Sequence, residues 1–168
     1  MVKHYVYRMD HDTGFAPNTS FGICSLTGCK NNKSGKKRNI EELAEPGSWV
    51  IGIGGKGTNR PDKIIYAMEV ENNLSVEEFR KKYPGKSKYL EGKEPGSNVL
   101  ISRKFYYFGE NAIDVPKGLE HIIIKTQGCK KLSEEDIKKL KSFLSKKYKY
   151  GIYGKPNNPE TKGKCGKC

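Results

Sequence analysis

Chemistry in this chain has few places to reside. His11 and Asp12 are adjacent and Cys24 follows in the same stretch, which supplies a thiol, an imidazole and a carboxylate, the types that make a nucleophile, its base and an orienting group. Asp12 and Cys24 are the catalytic candidates. His4 and His121 are scattered, and no two histidines stand at the i, i+4 spacing that turns two ligands to one helix face. The cysteines offer a second chemistry. Cys24 and Cys29 are separated by four residues and Cys165 and Cys168 form a CxxC, so the two pairs could hold one zinc ion tetrahedrally. The competing reading is an oxidation-prone tail, because the surrounding lysines favour the thiolate form. Cys129 is read as a passive thiol.

A third chemistry is contact with phosphates and bases. Gly52, Gly54 and Gly57 satisfy GxGxxG directly after an apolar run, but Thr58, Asn59, Arg60, Pro61 and Asp62 lead into another strand, so no helix opens to hold a pyrophosphate. Lys56 is followed by Gly57, which excludes a P-loop as well. The run reads as a glycine-rich turn between adjacent strands. Glycine supplies positive φ there, and Lys56 and Arg60 stand at the tip, open to a ligand. Arg103 and Tyr106 sit where cations and aromatics interleave in 102–109, the composition that base stacking uses. Strand alternation sets Phe105 and Tyr107 on one face and Tyr106 and Phe108 on the other, so at least one pair is core.

These residues need a scaffold, and the periodicity supplies short strands at 3–8, 48–53, 63–70, 99–102, 105–108 and 121–125. Ser75 with Glu78 and Ser133 with Asp136 are capping boxes that open two helices. After Ser133 the residues Ile137, Leu140, Phe143, Leu144 and Tyr148 share one face and lysines occupy the rest. A short helical piece at 40–44 stops at Pro46 and Gly47. The order is not the regular strand–helix alternation of a parallel sheet. It predicts an α+β fold with a small curved, mostly antiparallel sheet or small barrel and two to three flanking helices. Residues 1–150 read as a single α+β domain, and 151–168 as a basic tail rich in Gly, Pro and Lys that ends in the CxxC.

The chain has 168 residues and a formal net charge of +13, with a mean hydropathy of -0.77. A 35% apolar content is enough for a core. No apolar run approaches the roughly 20 residues that span a bilayer, and MVKHYVYR lacks a signal peptide's apolar stretch, so the expected location is the cytoplasm and no membrane is expected among the partners. Charge of this sign attracts nucleic acid, although a lysine-rich composition that tunes stability is the alternative source. Its distribution favours the first. Thirteen lysines face four acids between Lys125 and Cys168, and Lys30, Lys33, Lys36, Lys37 and Arg38 cluster without an acid.

Several strings resemble a known family. They are Asp12-Thr13-Gly14-Phe15-Ala16-Pro17-Asn18, then Cys24-Ser25-Leu26-Thr27-Gly28-Cys29-Lys30, Gly47 through Gly52, Tyr66-Ala67-Met68-Glu69-Val70, Phe105-Tyr106-Tyr107-Phe108-Gly109 and Gly151-Ile152-Tyr153-Gly154-Lys155-Pro156. Together they resemble the nucleotide modification associated domain of type two across nearly the whole chain. The strand, glycine turn and strand with "AMEV" are more weakly similar to small PUA- and EVE-type barrels. The resemblance implies a PUA-like barrel and a role beside systems that make, install or recognise modified bases. The lysine-rich insert and the CxxC depart from the family pattern.

On physical grounds Asp12 and Asn18 can pair with a base edge, Phe15 can stack and Pro17 stiffens the loop; an Asx-type structural loop is the alternative. The leading expectation is a domain that binds nucleic acid or a modified nucleotide through Asp12, Phe15, Asn18, Lys56, Arg60, Arg103 and Tyr106, with Lys30 and the final helix on phosphates. Its rivals are an enzyme acting on a nucleotide or base through Asp12 and Cys24, and an interaction module stapled by zinc at Cys24, Cys29, Cys165 and Cys168.

Overall fold

In the computed structural model, residues 1–27, 39–89 and 98–159 are described. Their strands are β1 (His4–Met9), β2 (Cys24–Leu26), β3 (Trp49–Gly54), β4 (Lys63–Glu69), β5 (Asn72–Ser75), β6 (Asn98–Ser102), β7 (Phe105–Tyr107), β8 (Ile113–Asp114), β9 (Cys129–Leu132) and β10 (Gly151–Ile152). The helices are α1 (Ile40–Leu43), α2 (Val76–Lys82), α3 (Pro84–Tyr89) and α4 (Glu134–Lys147). The large sheet runs β10-β7-β4-β3-β1-β9 with β8 beside β4, and a small sheet runs β2-β6-β5. Only the β1–β3 and β7–β10 pairings are parallel. The fold is therefore α+β and mostly antiparallel. Of the two expected forms, the sheet is the open one, since among the described residues β9 and β10 are its edges.

Side-chain alternation divides the core into two layers. Tyr5, Tyr7, Val50, Met68, Phe105 and Tyr107 face the small sheet's Cys24, Leu26 and Ile101. Val6, Trp49, Ile51, Ala67, Tyr106 and Phe108 face the other way, toward Ile137, Leu140 and Leu144 of α4. The register shifts between Gly52 and Ile53, which pair with Tyr66 and Ile64 and leave Ile65 as an extra residue. Consequently Ile65 and Tyr66 both face the small sheet.

Local sequence accounts for the longer helices. Ser75 accepts from the Glu78 amide and Ser133 from the Asp136 amide, with the acid reaching back in each case. Each cap contributes about 1 kcal/mol. The predicted strand at 121–125 is instead a 3-10 turn at Glu120–Ile122 followed by extended chain. There Ile122 packs into the α4 layer and His121 pairs with Asp136 at the helix start, so side-chain packing replaces a ladder. Gly151 and Ile152 pair with Tyr106 and Tyr107, which ties the chain beyond α4 back to the sheet. Among the described residues no helix is long and apolar enough to cross a membrane.

Candidate functional site

Because β1 and β3 run parallel, with Met9 level with Gly54, their outgoing connections emerge at the same end of the sheet. After β1 come Asp10, His11 and Asp12; after β3 comes a turn through Lys56–Thr58. The Gly55 amide donates to Met9 O at 2.7 Å, and Thr58 Oγ1 donates to Gly55 O at 2.6 Å. The glycines are needed for close approach, which corrects the expectation that they supply positive φ. Only Asn59 and Asp62, with φ near 59° and 62°, take left-handed conformations in this turn. A Cβ on Gly54 would lie 2.1 Å from Arg60 O, and one on Gly57 would lie 2.3 Å from Asp10 O. Gly54→Ala is expected to cost about 1–3 kcal/mol through overpacking, read as a lower urea midpoint with unchanged slope.

Asp12 is the junction of this end. Its side chain is fully buried, and its carboxylate accepts from Tyr107 Oη at 2.6 Å, the Asn157 amide at 3.0 Å and Asn157 Nδ2 at 2.9 Å. The Asn158 amide donates to Asp12 O at 2.8 Å, Asn158 Oδ1 accepts from the Asp12 amide at 2.9 Å, and Asn158 Nδ2 donates to Gly57 O at 2.9 Å. The Asp12 carboxylate therefore ties the loop after β1 to β7, on the far side of the sheet, and to the chain beyond β10, while its backbone holds Asn158, which reaches the glycine turn. Burial raises its pKa, and the bonds from Tyr107 and Asn157 oppose that rise. Tyr107 is held protonated by burial and by the charge of Asp12.

Around this junction three cations lack carboxylate partners among the described residues. Arg60 Nε donates to Glu110 O at 2.7 Å and Nη1 to Asn59 O at 2.8 Å. The Glu110 amide in turn donates to Lys155 O at 2.8 Å, which brings Lys155 to the same end. Neither Lys56, Arg60 nor Lys155 forms an ion pair with a described residue. By contrast, Asp62 on the flank of the turn is engaged by Lys125 at 2.6 Å and Arg8 at 3.1 Å, which hold its carboxyl below the ordinary range.

The rest of the loop after Asp12 turns inward. Phe15 is buried in the layer beneath the small sheet, and the Ala16–Pro17 peptide is cis. Asn18 is buried and its side-chain oxygen receives Lys86 Nζ at 3.0 Å. Lys86, from α3, is only 2% exposed. It also donates to Asn18 O at 3.0 Å, Ser20 O at 2.8 Å and Ile23 O at 2.7 Å. No carboxylate neutralises it among the described residues, and burial brings its pKa down to about 8, opposed by neighbouring Cys24. Cys24 is fully buried and its thiol is pushed up to about 12 by burial, so it is protonated and inert at neutral pH.

Of the residues singled out in the sequence, the fold brings Asp12, Lys56 and Arg60 to one end. Arg103 lies at the opposite end of the sheet, in the turn whose Lys104 meets Glu69 at the finish of β4. Tyr106 is buried between the sheet and α4. Lys30, Cys29, Cys165 and Cys168 lie outside the described residues; among those described, no group of His, Cys, Asp and Glu could hold a metal ion. Sequence reasoning missed Lys86, Asn157 and Asn158. The asparagine pair after Lys155-Pro156 was a visible turn signal, whereas Lys86 sits in a lysine-rich stretch that reads as solvated.

The family model described as nucleotide modification associated domain 2 matches residues 1–95 and 84–163. A comparison with curated proteins gives no match. Among solved structures, an ASCH protein from Zymomonas mobilis is similar at 12% identity and a TM-score of 0.41, covering 83% of this chain and 94% of that one. A point mutant of the same protein gives 14% identity and a TM-score of 0.42, covering 83% and 97%.

Proposed function

The chain belongs to the nucleotide modification associated domain 2 family, and from that premise we propose that it binds nucleic acid or a modified nucleotide as a partner of base-modification chemistry. The observation that carries this reading is the convergence at one end of the sheet. The loop of Asp12, the glycine turn, the connection after β7 and residues 153–158 are bonded into one surface, with Lys56 and Lys155 exposed, Arg60 half-buried, and all three free of carboxylates among the described residues. Such cations suit phosphates, which position a ligand without reading its sequence. The lysines of α4 extend the same field over a neighbouring face. Asp12 serves this surface from below as its frame, whereas Asn18 is engaged by Lys86 away from it and takes no part. An enzyme built on Asp12 and Cys24 gains no support from a buried thiol raised to about 12.

The test is the combined variant Lys56→Ala, Arg60→Ala, Lys155→Ala, titrated against a fluorescein-labelled oligonucleotide over a salt series. Affinity is expected to fall at low salt, and the slope of log K against log salt to flatten by about one for each phosphate that is no longer neutralised. An affinity and slope equal to those of the parent chain would overturn the assignment of these residues.

A further inference from the structure

Six large apolar side chains are well exposed among the described residues, and three of them, Tyr150, Ile152 and Tyr153, fall within four positions at the edge strand β10. Clustering of this kind marks an interaction site more often than chance exposure does. The two tyrosines are also seated. Tyr150 packs on Tyr106 with ring centroids 5.0 Å apart, and Tyr153 stacks on Phe108 at 5.5 Å. Tyr106 and Phe108 themselves lie parallel at 6.4 Å, so a buried pair of rings supports an exposed pair. The Tyr153 hydroxyl accepts from the Lys149 amide at 2.9 Å and donates to Lys149 O at 2.6 Å, which fixes that ring in advance of any ligand.

Charge decides what would cover these rings. Lys149 and Lys155 flank them and pair with no acid among the described residues. The acids whose charge reaches Tyr150, Glu69 and Glu71, are occupied by Lys104 Nζ and the Arg103 amide. Aromatic faces beside unpaired cations match nucleobases joined by phosphates. We propose that Tyr150 and Tyr153 form a stacking platform for the unpaired bases of single-stranded nucleic acid, with Lys149 and Lys155 on its phosphates. This inference rests on the nucleic-acid reading above and specifies the form recognised. A duplex keeps its base faces stacked inside and cannot use the platform.

Tyr150 tests it, since its hydroxyl makes no hydrogen bond to a described residue and its loss leaves the fold's bonding intact. Tyr150→Ala is expected to weaken binding of a short labelled single strand about tenfold, with duplex affinity changed less than twofold. Tyr150→Trp is expected to restore single-strand affinity, and its emission to be quenched on binding, against a background of one native tryptophan, Trp49. Unchanged single-strand affinity in Tyr150→Ala, with the parent chain still binding, would overturn the platform, assign the exposed rings to a protein partner and leave the phosphate surface standing. Failure of the parent chain to bind any nucleic acid would remove both.

Discussion

Asp12→Ala is expected to lower folding stability by about 3 kcal/mol. The substitution leaves Tyr107 Oη, the Asn157 amide and Asn157 Nδ2 without their acceptor. Tyr107 is only 1% exposed and cannot recruit water cheaply, whereas Asn157 is half-buried and can rehydrate. The loss is therefore dominated by one orphaned hydroxyl and by release of the chain beyond β10. Asp12→Asn keeps the volume and one good acceptor, and is expected to lose about half as much. Urea unfolding measures both, and a parallel digestion with chymotrypsin reads cleavage after Tyr153, where the released segment begins. A change within about 0.5 kcal/mol for Asp12→Ala would mean that the junction is not what holds this end together.

Lys86→Met is the second large effect, expected at about 3 kcal/mol near neutral pH. The methionine fills the space but offers no donor to Asn18 O, Asn18 Oδ1, Ser20 O and Ile23 O, all of which the ammonium now serves. The pH dependence carries a distinct signature. The folded pKa is about 8 against an ordinary value of 10.5. Between those values the unfolded chain holds a proton that the folded chain has released, so this group's contribution to stability rises with pH. It is fully present above 10.5 and is lost as pH falls through about 8. Cys24, the other titratable group at this ammonium, keeps its proton until about 12 when folded against 9.0 when unfolded, so its own contribution falls as pH rises above 9; both chains carry it, and it cancels in their difference. The parent chain is thus expected to gain stability relative to Lys86→Met between pH 8 and 10. A difference independent of pH would place Lys86 in contact with solvent.

How far such features can be read in advance depends on how local their causes are. The boxes at Ser75 and Ser133 act within one helical turn, and both helices begin where they say. The alternation of Phe105, Tyr106, Tyr107 and Phe108 is equally local, and it divides the two core layers as expected. Strands β5, β9 and β10 are different: Asn72–Ser75, Cys129–Leu132 and Gly151–Ile152 have little intrinsic strand preference and are extended because a neighbour offers a ladder. Helix α3 opens with Pro84 and Gly85, which read as breakers, yet proline is well tolerated in the first turn of a helix. At the site, the glycine turn and Asp12 were legible as a place, though not as a mechanism. The turn's glycines answer to Arg60 O and Asp10 O, and Asp12 answers to Asn157, which lies 145 positions away. Lys86 was invisible because nothing in a run with Lys81, Lys82 and Lys88 marks which ammonium is buried.

The cationic end and the aromatic edge make one claim together: this domain holds nucleic acid through phosphates and reads it through unpaired or modified bases. The most direct measurement is a salt-series titration of the parent chain against a labelled single strand, its duplex and its RNA counterpart, each with and without a modified base. The account predicts binding whose log K falls linearly with log salt, together with a preference for the single strand or the modified base that persists at high salt. Weak binding that vanishes with salt and distinguishes none of the ligands would reduce the +13 charge to a generic attraction and contradict the account.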